Sequence, residues 1–118
     1  MSKEKRNYYR SQFQIKKNDN LIYLKRNHTN HLISGELDLS NYGLGIVCDH
    51  AIASETPITI ELKAFELHLS VNGTVRWCIP TTDKEEQYRL GIEFDSTQPQ
   101  DNKLFSFALR RHLEKMAS

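Results

Sequence analysis

Two short patterns hold the side chains best suited to binding chemistry. Arg6 and Arg10 bracket Arg6-Asn7-Tyr8-Tyr9-Arg10, an R-x-x-x-R. Further on, Asp38-Leu39-Ser40-Asn41-Tyr42-Gly43 spells D-x-S-x-x-G. A guanidinium is a planar fork of donors that grips phosphate oxygens and stacks on flat rings. A carboxylate accepts from N–H groups, and a hydroxyl suits a phosphate oxygen or a backbone group. Gly43 is expected to supply a positive φ at the turn after Ser40. These are parts of a binding surface. The parts of a reaction centre are missing: there is no Gly-rich phosphate loop, no G-x-S-x-G and no H-E-x-x-H. Carboxylate pairs such as Glu85–Glu86 fall in a turn and read as a solvated face. No catalytic residue is therefore assigned. His28 and His31 sit three apart with no Cys, Asp or Glu adjacent, in turn or strand rather than helix, so no metal site is expected.

The elements that must position these residues are mostly strands. From about Phe13 the apolar residues alternate with polar ones, the mark of half-buried strands. Phe13 and Ile15 begin the pattern, Asn18-Asp19-Asn20 reads as a turn, and Leu21–Leu24 follows. Ile33, Gly35, Leu37 and Leu39 share one parity, which leaves Asp38 and Ser40 together on the other. Leu44, Ile46 and Cys48 form a further run, as do Ile58, Ile60 and Leu62. Asn72-Gly73 is a hairpin signal by type, but a two-residue turn there would mix the faces. One long strand keeps Leu67, Leu69, Val71, Val75 and Trp77 on a single inward face, with Gly73 a bulge or a point of close approach. Thr81–Glu86 is the preferred turn, leading to Tyr88, Leu90, Ile92 and Phe94.

The tail changes period. Asp101 can cap a helix over about 101–116, with Phe105, Leu109, Leu113 and Met116 on its apolar stripe and Leu104 and Ala108 widening it. The sum is a mainly β chain: a six- or seven-stranded antiparallel barrel, residues 12–118, with a C-terminal α-helix packed on one opening. A flexible basic arm, residues 1–11, precedes it.

Charge follows the same division. Residues 1–30 hold eight basic and two acidic residues, whereas residues 31–118 hold eight basic and thirteen acidic. A basic arm leads an acidic body, and such an arm can neutralise phosphate. No apolar run approaches ~18 residues, so membrane insertion is not expected. The polar start does not read as a signal peptide. Cys48 and Cys78 make neither a disulfide framework nor a four-ligand zinc site, and lone thiols fit a reducing cytoplasm.

The two motifs in this order, ahead of the strand pattern and a terminal helix, resemble the PilZ domain family, whose known members are bacterial receptors for the second messenger cyclic di-GMP. The resemblance runs from about Lys5 to Leu113 and takes in Thr74-Val75-Arg76-Trp77 and Leu90-Gly91-Ile92-Glu93-Phe94. It implies that Arg6, Arg10, Asp38, Ser40 and Gly43 contact cyclic di-GMP. It also offers Lys5 and Trp77, since an aromatic near this strand end contacts guanine in the family, although inward parity would make Trp77 a core residue. Many members open the first motif with two arginines, where this chain has Lys5. Lysine keeps the charge and loses the fork, which leaves one or two ligand molecules open.

The implied protein is a stand-alone, cytoplasmic receptor without cofactor or catalysis. Its arm would close over the ligand, and a downstream partner protein, in motility or biofilm regulation, would read the ordered surface. Two other classes remain on the sequence: a PilZ-like adaptor that binds no nucleotide, and a basic-arm nucleic-acid binder. A nucleic-acid partner fits less well, because the body is net acidic and its strand aromatics fall inward.

Overall fold

In the computed structural model, residues 11–16, 21–33, 35–64, 67–81 and 86–117 are described, the side chains of 11, 116 and 117 apart. Eight strands form one antiparallel sheet: β1 (Ser11–Ile15), β2 (Ile22–Arg26), β3 (Thr29–Leu32), β4 (Gly35–Leu39), β5 (Gly43–Cys48), β6 (Pro57–Ala64), β7 (Leu67–Pro80) and β8 (Tyr88–Phe94). Their order is β1-β4-β5-β8-β7-β6-β2-β3, with β1 and β3 at the two edges. The sheet curls around a core that includes Leu24, Leu37, Leu39, Ile46, Ile60, Leu62 and Leu90. These are the inward residues of the period-two pattern, which supplies the burial that holds the curl.

The strand added to the expected six or seven is β3. Asn27 and His28 both take positive φ, 50° and 70°, and close a two-residue hairpin between β2 and β3. Right-handed strand twist favours such turns, and asparagine and histidine tolerate that conformation better than most residues.

Asn72-Gly73 does not turn. β7 runs through it for 14 residues. A Cβ on Gly73 would lie 2.8 Å from the Glu93 carbonyl oxygen, so the strand needs glycine for close approach. The irregularity falls later, as a register shift between Val75 and Trp77. That bulge at Arg76 corrects the inward reading of Trp77. Val71 and Val75 are buried, but past the bulge the faces exchange. Cys78 packs on the core, while Trp77 is 43% exposed and Ile79 55%. Leu67, also read as inward, is exposed at the strand start.

The helix α1 (Pro99–Ala117) begins two residues ahead of the expected start. Proline fits the first turn, where its missing N–H is not needed. Asp101 is not the cap. It is an exposed first-turn carboxylate, placed well for the helix dipole. The Asn102 side chain instead donates to the Asp95 carbonyl at 2.8 Å, tying the helix start to the end of β8. Phe105, Leu109 and Leu113 are buried as expected, with Phe105 edge-on to Phe94 at 6.1 Å between ring centroids. Leu104 does not widen the stripe; it is exposed, as is Phe107. Cys48 is buried, and burial raises its thiol pKa above the ordinary value. Among the described residues no helix is long and apolar enough to cross a membrane.

Candidate functional site

The register of four neighbouring strands builds one cross-sheet row on the outer face. Asp38 on β4 faces Gly45 on β5, Gly45 faces Gly91 on β8, and Gly91 faces Trp77 on β7. Two glycines thus lie between a carboxylate and an indole. A Cβ on Gly91 would collide with the Trp77 ring atoms Cε2, Nε1 and Cζ2, so the indole lies directly over that glycine. A Cβ on Gly45 would sit 3.3 Å from Asp38 Oδ2, so the carboxylate leans over the other. Three strand gaps of ~4.8 Å separate the Asp38 and Trp77 backbones by roughly 14 Å. The missing side chains at the two glycines let the indole and the carboxylate lie low against the sheet.

The next row begins at the β4–β5 turn. Ser40 N–H donates to the Gly43 carbonyl at 3.1 Å, closing a two-residue loop of Asn41 and Tyr42. Ser40 Oγ accepts from Tyr42 N–H at 3.1 Å. The serine therefore builds the turn that carries the motif. The Ser106 hydroxyl, fully buried on α1, donates to the Ser40 carbonyl at 3.1 Å and anchors the turn to the helix. Ser106→Ala should cost about 1 kcal/mol in urea unfolding, the net worth of a buried hydrogen bond.

Gly43 corrects the sequence reading. Among the described glycines only Gly35 has a positive φ. Gly43 is needed because a Cβ there would collide with the Ile92 carbonyl oxygen on β8.

Charged groups frame the trough. Arg89 on β8 reaches across β5: its Nη1 donates to Glu36 Oε1 at 2.6 Å, and its Nη2 lies 3.6 Å from Asp38 Oδ2. At the other end Arg76 Nε donates to Glu93 Oε1 at 2.6 Å and Nη1 to Glu55 Oε1 at 2.7 Å. Those bonds, Glu93 foremost, raise the Arg76 pKa above its usual value. Both arginines already face carboxylates. The trough encloses about 270 Å³. That is at or below the small end of ligand pockets, roughly 300–1,000 Å³. It is one wall of a site. A second hollow of about 530 Å³ adjoins it, sharing Arg76 and Glu93 and running toward Arg26 and Asn72.

Asp38, Ser40, Gly43 and Trp77 all line the trough. Arg6, Arg10 and Lys5 lie outside the described residues. Sequence reasoning missed Gly45, Gly91, Arg76, Arg89 and Ser106. The two glycines stand at ordinary outward strand positions, and only the register reveals that they are adjacent.

Comparison with known proteins agrees with this architecture. The family profile for the PilZ domain matches residues 4–111. The chain belongs to the PilZ domain family. A solved structure of similar fold is that of the Bacillus subtilis inhibitor of motility, MotI/DgrA, with a TM-score of 0.52 and 14% sequence identity. The likeness covers 92% of this chain and 52% of that one, so this chain spans about half the length of MotI/DgrA. Comparison with curated proteins gives no match.

Proposed function

We propose that the chain is a non-catalytic receptor for cyclic di-GMP, held in the trough between Asp38 and Trp77. The observation that carries this reading is the row Asp38–Gly45–Gly91–Trp77 beside the Ser40–Gly43 turn. A guanine would stack on the exposed side of the indole and turn its N1–H and N2–H₂ donors toward Asp38. The trough has no surplus positive charge, because Arg76 and Arg89 are paired. The two phosphates need another source of cations, and the arm carries Lys5, Arg6 and Arg10.

Reach supports that role. Arg10 is bonded to Ser11, which pairs with Leu39, the neighbour of Ser40. Arg6 is five residues from Ser11, up to about 17 Å of extended chain, which matches the width of the trough. Closing the arm costs conformational entropy, and charge-assisted bonds to phosphate offset it. The ordered arm and ligand then form a surface for a partner protein. The likeness to an inhibitor of motility makes motility control the first output to examine, with biofilm control beside it.

Calorimetry on the purified chain tests the reading. Cyclic di-GMP should bind with about micromolar affinity or tighter, and GTP should not bind. Arg10→Ala and Asp38→Ala should each weaken binding at least ~10-fold, as expected for a lost hydrogen bond to a charged group. Affinity should fall as salt rises. No heat in calorimetry and no signal in an orthogonal binding assay would contradict the receptor and favour an adaptor that recognises its partner without nucleotide.

A further inference from the structure

At the other end of β5, curling brings the sheet's last strand near Asp49 and His50. His31 on β3 lies against Asp49 and His50, the residues that follow β5, although the two strands are not paired. His31 Nδ1 is 3.9 Å from Asp49 Oδ1, and His50 Nδ1 is 2.7 Å from that same oxygen. The two imidazoles are 4.5 Å apart at their centroids. One ligand atom from each of the three residues falls within a 4.8 Å span. The His31 side chain is only 5% exposed, and its Nε2 has no hydrogen-bond partner among the described residues. Asp49 and His50 are open to solvent.

We propose that His31, Asp49 and His50 form a divalent zinc site that clasps the edge of the sheet at β3 to the connection after β5. The donor set is two imidazoles and one carboxylate, which suits zinc and neighbouring borderline ions over magnesium or calcium. Ligand atoms about 2.0–2.1 Å from zinc are roughly 3.3 Å apart at the tetrahedral angle. The observed 2.7 and 3.9 Å bracket that spacing. Exposed Asp49 and His50 can close the difference by side-chain rotation, around a buried and fixed His31. The fourth position opens to water or a partner's ligand. Imidazole nitrogens bind a metal only when unprotonated, so affinity should rise with pH.

The test uses untagged, chelator-stripped protein titrated with zinc chloride against a chromophoric competitor. One equivalent should bind with about micromolar affinity or tighter, and the melting temperature should rise by a few degrees. His50→Ala and Asp49→Ala, both exposed and checked for fold by circular dichroism, should each weaken binding at least ~10-fold. His68→Ala should bind as the parent does. Long-range ¹⁵N spectra of the His31 ring give a second readout, because the metal-bound nitrogen shifts characteristically in the intact protein. Absence of a 1:1 site, or unchanged affinity in both variants, would overturn the proposal.

Discussion

Trp77→Ala should weaken cyclic di-GMP binding by about 1–3 kcal/mol, the worth of one stacked base, or roughly 5- to 150-fold. The fold should persist with a modest loss of stability. Trp77 lies on the outer side of β7, and its indole covers Gly91 without entering the core. Losing that contact should cost about 1–2 kcal/mol in chemical denaturation, below the roughly 3–5 kcal/mol expected for a core tryptophan. Trp77→Phe should keep much of the affinity, because a smaller ring still stacks. A Trp77→Ala variant that binds as tightly as the parent would remove the indole from the site. A variant that loses most of its stability would instead make Trp77 a core residue, as strand parity alone suggests.

Gly43→Ala should act on the fold. The added methyl group would strike the Ile92 carbonyl oxygen, a backbone atom within the β5–β8 ladder. Side chains can rotate away from such a clash, whereas a paired strand cannot move without losing ladder hydrogen bonds. A cost of about 3 kcal/mol or more in urea unfolding is expected, at the severe end for overpacking. Gly45→Ala makes the internal comparison. Its nearest neighbour is Asp38 Oδ2 at 3.3 Å, the end of a side chain that can yield. It should cost under ~1 kcal/mol. Equal and small costs at both positions would refute the close approach of β5 to β8 at Gly43.

The contrast between these residues shows what a chain can disclose before its fold is known. Asp38, Ser40 and Gly43 are legible because the strand and turn that present them are local. The shared outward parity of Asp38 and Ser40 follows from alternation alone. Gly43 is legible by type but not by cause, since its constraint comes from β8, about fifty residues further along. Trp77 is misread because one bulge at Arg76 reverses parity, and nothing in the alternation of β7 marks it. Arg89 meets Glu36 across 53 residues, a contact that only the register of three strands creates. His31 and His50 are likewise unremarkable apart, and the curl of the sheet makes them neighbours. The strand pattern and terminal helix were readable because they rest on burial periods. Strand β3 is not legible, because its short hairpin carries little apolar alternation.

The trough as the cyclic di-GMP site is tested most directly by mapping amide and indole shifts in ¹⁵N-labelled protein as ligand is added. The account predicts that the largest changes fall on the Trp77 indole N–H and the amides of Ser40, Gly43, Gly45 and Gly91, with further changes at Arg6 and Arg10. Saturating ligand that leaves these signals unmoved, or moves instead those around Arg26 and Asn72 in the adjoining hollow, would contradict it.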